Sequence, residues 1–190
     1  TQSPNNEHLR KTLIEILLET HNLHAALNNA RLLQKLDPYS VTTHMLLTKA
    51  YAKLSNKNKA FEHLERAFRF MPATHTYHYQ KALIYNELAD YDNAIKECNN
   101  AIDMAPSYLN AYLTKAHIYY TQKKYVLART AINTVLNIHP HHAKAHFYRG
   151  NINMQLHDYA KATRDYETAH ELNPYDKQII HNRAIALDKI

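Results

Sequence analysis

Glycine, cysteine and tryptophan are scarce in this sequence of 190 residues, which has one glycine, one cysteine and no tryptophan. A single glycine argues against glycine-rich phosphate loops, dinucleotide-binding fingerprints and tight β-turns, because these elements place glycine where the backbone angle φ is positive. One cysteine excludes an internal disulfide and a multi-cysteine zinc site. No apolar run approaches the ~20 residues of a membrane helix, and the start TQSPNNEHLRK lacks the apolar core of a secretory signal. The composition predicts a soluble, helical, non-catalytic protein that inserts into no membrane and uses no cofactor.

Proline is also scarce, but five of the six prolines recur with a fixed spacing of 34 residues. These prolines are Pro38, Pro72, Pro106, Pro140 and Pro174. Twelve residues before each proline stands an alanine: Ala26, Ala60, Ala94, Ala128 and Ala162. Apolar residues between these markers recur every three or four residues, which is the period of an amphipathic helix. A fixed period of this length indicates a repeat solenoid of helix pairs, each ended by its proline.

These columns resemble the tetratricopeptide repeat, whose pattern has a bulky residue at position 4, small residues at 8 and 20, and proline at 32. The resemblance implies an all-α fold, a right-handed superhelical solenoid of antiparallel helix hairpins forming one continuous domain. Residues 1–6 are then an N-terminal extension, and 177–190 a capping helix or the first helix of a sixth repeat. The five repeats are 7–40, 41–74, 75–108, 109–142 and 143–176. We expect helices near 8–20 and 24–36, recurring every 34 residues.

The family presents positions 2, 5, 6, 9, 12 and 13 of the first helix of each repeat on a concave surface. The resemblance therefore implies a scaffold or adaptor that binds a peptide or protein segment in this groove, and we expect repeats three to five to form the site. Aromatic residues and methionine offer apolar contacts, while asparagine and glutamine can bond a peptide backbone. The candidate groove residues are Met45, Lys49, Tyr79, Gln80, Leu83, Asn86, Asn110, Leu113, Thr114, His117, Tyr120, Lys144, Phe147, Tyr148, Asn151 and Met154.

Charge is unevenly distributed, because residues 104–157 contain no Asp or Glu. The formal net charge of +6 falls entirely on this window, which favours an acidic partner. Position 7, usually leucine in the family, is basic in three successive repeats, at Lys81, Lys115 and Arg149. This basic patch is either a cationic ladder beside the groove or a set of long side chains that cover apolar surface while their charges reach water.

Histidine spacing raises the question of a metal site. His139, His141 and His142 share one inter-repeat loop. His142 and His146 are four residues apart, and two imidazoles at this spacing on a helix can bind the same transition-metal ion. His146 occupies position 4, where a packing residue belongs, and no Asp, Glu or Cys lies nearby in sequence to complete a ligand set. We therefore expect no metal site, and we expect Cys98 to be a buried structural thiol.

Other functions fit the sequence less well. In one frame of the family's clamp for chaperone C-termini, Glu15 occupies a slot where it would repel a carboxylate. RNA binding is an alternative because the isoelectric point is near 9.2, but the predicted groove holds few lysines and no arginine. Self-association is the other alternative, since the sequence stops halfway through a sixth repeat and a terminal repeat needs a polar cap. The lack of an initiator methionine fits removal of a targeting sequence, so the compartment stays open, with the cytoplasm as default.

Overall fold

The computed structural model describes residues 4–69 and 74–190, and this part of the chain forms eleven α-helices and no strand. The helices are α1 (Pro4–Glu19), α2 (Leu23–Leu36), α3 (Val41–Lys53), α4 (Lys57–Phe68), α5 (His75–Glu87), α6 (Tyr91–Met104), α7 (Leu109–Thr121), α8 (Tyr125–Ile138), α9 (Ala143–Gln155), α10 (Tyr159–Leu172) and α11 (Lys177–Leu187). Pro72, one of the periodic prolines, lies outside the described residues, as do residues 1–3 of the predicted extension. None of these helices is both long and apolar enough to cross a membrane.

The helices group into two compact units, an N-terminal unit (Thr1–Met104) and a C-terminal unit (Ala105–Ile190). In the N-terminal unit, α1 packs on α2, α3 on α4 and α5 on α6. In the C-terminal unit, α7 packs on α8, α9 on α10, and α11 lies against α10. The predicted all-α fold of repeated helix hairpins is confirmed. Helix α1 begins at Pro4, earlier than the predicted start near residue 8, because proline needs no hydrogen-bond partner in the first turn of a helix.

The periodic alanines lie where the two helices of each hairpin approach most closely. All five alanines at position 20 have no exposed surface: Ala26, Ala60, Ala94, Ala128 and Ala162. Residues at position 27 are at most 3% exposed: Leu33, Ala67, Ala101, Val135 and Ala169. The sequence period therefore reports the packing inside the hairpins.

Positions 8 and 24 face the interior of every hairpin, and their sizes are complementary. Position 8 carries Ile14, Thr48, Ala82, Ala116 and Gly150 along the chain. Position 24 carries Ala30, Leu64, Cys98, Ile132 and Tyr166. All ten residues are buried, and the smallest residue at position 8, Gly150, accompanies the largest at position 24, Tyr166, while Ile14 accompanies Ala30. Cys98 is one of them, with no exposed surface, as expected for a structural thiol.

The turn inside each hairpin contains a non-glycine residue with positive φ, always at position 15. These residues are His21, Ser55, Ala89, Lys123 and His157, with φ between 55° and 59°. The amide of the next residue donates to the carbonyl of position 11, as from Asn56 to Tyr51 at 2.8 Å and from Lys124 to Tyr119 at 2.8 Å. This is the six-to-one hydrogen bond of a Schellman motif, which ends a helix with a left-handed residue. In this glycine-poor chain, the helix ends thus impose a positive φ on residues that carry a β-carbon.

Candidate functional site

The N-terminal unit has a groove of about 530 Å³ along the first helix of each of its hairpins, α1, α3 and α5. We call it the N-terminal groove. Its floor is apolar, and its walls carry charges of both signs. Lys53 and Glu87 form an ion pair across it at 3.6 Å. The lining residues are Glu15, Leu18, Glu19, Thr48, Lys49, Ala52, Lys53, Gln80, Leu83, Ile84, Asn86 and Glu87.

The C-terminal unit has three adjoining depressions of about 280, 270 and 580 Å³, which together we call the C-terminal groove. Aromatic residues, amides and histidines line it, and none of its described lining residues is Asp or Glu. The lining residues are Ala116, His117, Tyr120, Ile132, Phe147, Tyr148, Asn151, Ile152, Met154, Gln155, Tyr166, Lys177, Gln178, His181, Asn182 and Ile185. The two grooves therefore differ in charge, because the N-terminal one includes three glutamates.

Asn151 on α9 borders all three depressions of the C-terminal groove. Its Oδ1 accepts hydrogen bonds from the Tyr166 hydroxyl at 2.7 Å and from Asn182 Nδ2 at 2.9 Å. Burial raises the pKa of Tyr166, so its hydroxyl stays protonated and keeps donating. With Oδ1 held by two donors, Nδ2 is the end of the Asn151 amide left to donate to a ligand.

Comparison with protein families places the repeats in a known class. One family model of the tetratricopeptide repeat matches residues 143–176, and a second matches 86–146. Residues 86–176 are tetratricopeptide (TPR) repeats. No curated protein sequence matches this chain significantly.

Solved structures show the same fold at low sequence identity. A TPR protein of Thermus thermophilus is 18% identical with a TM-score of 0.71, the match covering 95% of this chain and 98% of that one. The first TPR domain of Spaghetti, solved with an HSP90 peptide, is 23% identical with a TM-score of 0.58, over 60% and 91% of the two chains. YrrB, a TPR protein with an unusual peptide-binding site, is 16% identical with a TM-score of 0.60, over 92% and 90%.

The structure brings together ten of the sixteen candidate groove residues, in two separate sets. Four line the N-terminal groove: Lys49, Gln80, Leu83 and Asn86. Six line the C-terminal groove: His117, Tyr120, Phe147, Tyr148, Asn151 and Met154. The others lie outside both lining sets: Met45, Tyr79, Asn110, Leu113, Thr114 and Lys144. Met45 and Leu113 pack instead against the cores of their own units, and Lys144 Nζ lies 5.5 Å from the centre of the Tyr148 ring.

Sequence analysis missed the contributions of the first and last helices. Glu15, Leu18 and Glu19 of α1 line the N-terminal groove, and Gln178, His181, Asn182 and Ile185 of α11 line the C-terminal groove. In the TPR register these residues occupy the same inward positions, 9, 12 and 13 in the first repeat and 2, 5, 6 and 9 in the sixth. The inward positions of the first and sixth repeats therefore predict these residues in the same way as those of repeats two to five.

Two of the three residues of the predicted basic patch form ion pairs inside their own hairpins. Lys81 Nζ lies 2.9 Å from Glu97, and Arg149 donates to both oxygens of Asp165 through Nε at 3.0 Å. Burial alone would raise the pKa of Glu97, but hydrogen bonds from His78 and Lys81 outweigh it, so this pKa is lowered. The buried carboxylates at position 23, which the sequence reading did not single out, thus engage the basic residues at position 7.

Position 4 also contacts position 23 in three hairpins, with different chemistry in each. His78 Nδ1 lies 2.6 Å from Glu97, and His146 Nδ1 lies 3.5 Å from Asp165. In the second hairpin, the Nδ1 atoms of His44 and His63 are 3.0 Å apart. Burial and the neighbouring His44 lower the pKa of His63 to about 4, so His63 is neutral at pH 7.

Two histidines of residues 139–146, His142 and His146, form hydrogen bonds within the fold. His142 Nδ1 caps α9 by accepting from the Ala145 amide at 3.1 Å. His146 Nε2 lies 2.8 Å from the carbonyl oxygen of Pro140, and the equivalent Tyr112 hydroxyl donates to Pro106 at 3.1 Å. Within the described residues, no group of three or more His, Cys, Asp or Glu side chains could hold a metal ion.

Proposed function

We propose that this chain is a non-catalytic interaction scaffold that binds an extended peptide segment in the C-terminal groove. The observation that carries the proposal is the fixed amide of Asn151, whose Oδ1 is held by Tyr166 and Asn182 and whose Nδ2 is thereby left to donate. An extended peptide offers a backbone carbonyl at every residue, and a fixed amide donor can bind one of them. Spaghetti and YrrB, both TPR proteins of similar fold, are described as binding peptides, which supports the same class of ligand here.

The lining around Asn151 favours an apolar anchor side chain. Tyr120 and Tyr148 border the same depression as the buried Ile132 and Ile152. Burial raises the pKa of Tyr120, so its ring stays neutral. Aromatic residues contribute large contact area at a low cost in conformational entropy, and central aromatic residues carry much of the affinity of interfaces.

Charge favours an acidic peptide. Lys177, His117 and His181 line the C-terminal groove, and no carboxylate is present among its described lining residues to offset them. The sequence around it, residues 104–157, contains no acid at all. A groove of one sign attracts a partner of the opposite sign and speeds its association.

The first experiment selects peptides and tests Asn151. A phage library displaying random dodecapeptides is selected against the full chain, and the enriched peptides are titrated by calorimetry. Asn151→Asp keeps an oxygen for Tyr166 and Asn182 but removes the Nδ2 donor, so we expect a loss of affinity of about tenfold or more. Asn137→Asp makes the same chemical change at an exposed site of α8 outside the grooves and should change affinity less than about twofold.

The second experiment tests the apolar anchors and the location of the site. Phe147→Ala and Tyr148→Ala should each weaken binding by about 1 kcal/mol or more. Leu83→Ala in the N-terminal groove should leave the affinity for the peptide unchanged. If Leu83→Ala abolishes binding and both aromatic substitutions are neutral, the site belongs to the N-terminal groove and the proposal fails.

The third experiment tests charge selection by salt and pH. Charge reversal at Lys115 and Lys144 should slow association with an acidic peptide and flatten its dependence on salt. Imidazoles gain charge as the pH falls from 8 to 6, so an acidic peptide should bind more tightly at pH 6. Equal affinity at both pH values and at all salt concentrations would refute an electrostatic role for this window.

Self-association is a second candidate function, supported by exposed apolar side chains in the first and last described helices. Leu9, Leu13 and Ile16 on α1 are 44–65% exposed, and Ile180 and Leu187 on α11 are about half exposed. Exposed apolar surface of this kind marks interaction sites. Light scattering over a range of concentrations should detect oligomers. The double variant Leu9→Lys, Leu13→Lys should be monomeric if α1 forms the contact.

A further inference from the structure

A second pocket of about 460 Å³ lies in the C-terminal unit between α8, α9 and α10, and its lining is strongly basic. We call it the arginine pocket. It shares no lining residue with the C-terminal groove. Its lining residues are Arg129, Asn133, Arg149, Asn153, Lys161, Arg164 and Asp165.

A buried hydrogen-bond network builds one wall of this pocket. Asp165, 5% exposed, receives two bonds from Arg149 Nε at 3.0 Å and one from Arg149 Nη2 at 2.6 Å. It also accepts from Asn153 Nδ2 at 2.9 Å. Asn153 in turn accepts from Arg129 Nη1 at 3.4 Å. The network holds two arginines and one asparagine in place without a ligand.

The same network fixes the orientation of a neutral amide in the lining of the pocket. Arg149 Nη1 donates to Asn133 Oδ1 at 3.0 Å. Because arginine has donors and no acceptor, the atom of Asn133 that faces it is the oxygen, and Nδ2 points elsewhere as a free donor for a ligand. Donors of this kind complement the oxygens of an anion.

Cations of the pocket exceed the carboxylates that line or adjoin it by two. Four cations line it, at Arg129, Arg149, Lys161 and Arg164, and Asp165 balances Arg149. Asp158 lies next to the pocket, forms an ion pair with Lys161 and thereby balances a second cation. In the part of the chain that the structure describes, no carboxylate lies within 4.0 Å of Arg129 or Arg164. Asp158 also acts electrostatically on Arg129 from beyond that distance, so Arg129 and Arg164 line the pocket without a counter-ion in direct contact.

We propose that the arginine pocket is a binding site for a phosphate monoester. A phosphate monoester carries −1.5 to −2 charges near pH 7, which matches the uncompensated charge, whereas one carboxylate would match half of it. Its three terminal oxygens suit several guanidinium and amide donors, since arginine binds phosphate through two parallel N–H bonds. The phosphorylated serine or threonine of a protein and a small phosphorylated molecule share this chemistry.

A nucleic acid fits the pocket less well than a phosphate monoester. Each phosphodiester carries a single charge, and single-stranded RNA is bound largely by stacking of its bases on aromatic side chains. The lining of the arginine pocket includes no aromatic residue. RNA is therefore an outcome for the test to detect.

The test titrates the full chain with three phosphate and peptide probes, and separately with a single-stranded RNA oligonucleotide, and follows the arginine Nε–H resonances by nuclear magnetic resonance. The probes are inorganic phosphate, a peptide containing one phosphoserine, and the same peptide without the phosphate. We expect the first two probes to shift the resonances of Arg129 and Arg164 in a saturable manner, and the third to leave them unchanged. Tighter binding of the phosphopeptide than of phosphate assigns the site to a protein partner, and equal binding assigns it to small phosphorylated molecules; both support the proposal.

Variants separate this site from general charge attraction. Arg164→Gln removes an exposed arginine with no ion pair and should lower phosphate affinity about tenfold. Lys189→Gln removes the same charge from an exposed position outside the pocket and should have less than a twofold effect. Asp158→Asn frees Lys161 from its ion pair and should raise affinity, a gain that no loss of folding can produce.

Three results would overturn the proposal. The first is the absence of a saturable shift at the two arginines with either phosphate probe. The second is an equal loss of affinity in Arg164→Gln and Lys189→Gln, which would indicate unspecific attraction. The third is tighter binding of a single-stranded RNA oligonucleotide than of the phosphopeptide, with the same sensitivity to Arg164→Gln, which would make the pocket a nucleic-acid contact.

Discussion

Gly150 on α9 packs directly against the ring of Tyr166 on α10. A β-carbon added at Gly150 would lie 2.5 Å from Cε1 and 2.7 Å from Cδ1 of that ring, well inside van der Waals contact. The ring has little room to retreat, because Tyr166 is 1% exposed and its hydroxyl bonds Asn151. Gly150, the only glycine of the sequence, thus leaves the space that the ring of Tyr166 occupies. This contact also helps to place the Tyr166 hydroxyl, which holds the Asn151 amide in the C-terminal groove.

Substitution of Gly150 by alanine should therefore destabilise the protein. Overpacking of a filled core costs about 1–3 kcal/mol, and the gain of about 1 kcal/mol in helix propensity offsets part of it. We expect a net loss of about 1 kcal/mol in the free energy of unfolding, measured by urea denaturation. In a Tyr166→Leu background the alanine should become neutral or stabilising. A penalty of equal size in both backgrounds would show that the ring is not the cause.

Enlarging the periodic alanines should have a comparable effect for the same physical reason. Ala94→Leu and Ala128→Leu place a larger side chain where the wild-type residue has no exposed surface, and each should cost about 1–3 kcal/mol. Ala160→Leu adds the same group at an exposed position of α10 and should stay within about 0.5 kcal/mol of the wild type. Unchanged urea midpoints for Ala94→Leu and Ala128→Leu would contradict the repeat register.

Glycine in the hairpin turns should stabilise the protein. Ala89 has a φ of 55°, a conformation that costs a residue with a β-carbon about 1–2 kcal/mol. Glycine relieves this strain but loses more backbone entropy on folding, so Ala89→Gly should gain about 0.5–1 kcal/mol. Ala160→Gly, in a right-handed helix, should instead lose about 1 kcal/mol. The prediction is rejected if thermal unfolding shows the same sign of change for both variants.

Acid should weaken the folded state through the His44–His63 pair. His63 has a pKa of about 4 in the folded protein against 6.5 for an ordinary histidine. Above pH 6.5 its contribution to stability is complete; between pH 6.5 and 4 the unfolded chain binds a proton that the folded protein does not. The free energy of unfolding should fall in this interval by at most about 1.4 kcal/mol per pH unit from this group.

Two variants isolate this contribution from the other histidines. His63→Gln retains a donor toward His44 but does not titrate, so urea midpoints measured from pH 7.5 to 4 should depend less on pH. His141→Gln, at an exposed position, should reproduce the wild-type dependence. If the two variants have the same pH dependence, the buried pair does not carry the effect.

The period of 34 residues was enough to predict the helices and the alanine contacts, because both repeat identically in every hairpin. The inward positions of the TPR family, placed on this period, implied Asn151 and Tyr148 as groove residues. It could not reveal that Asn151 is held by Tyr166 and Asn182, since that contact joins three helices and occurs once. The ion pairs of Lys81 and Arg149 escaped prediction for a related reason. Their partners, Glu97 and Asp165, stand at a position that carries His63 in another repeat.

The contacts between positions 4 and 23 and the sizes at positions 8 and 24 make the hairpin the smallest exchangeable part of this chain. A graft that set α6 against α3 in place of α4 would oppose Glu97 to His44 and Cys98 to Thr48, two pairings that this chain does not use. A graft of a whole hairpin carries both members of each pair. Chimeras of this protein should therefore tolerate crossovers in the loops between hairpins and fail when the crossover falls at the left-handed turn within one.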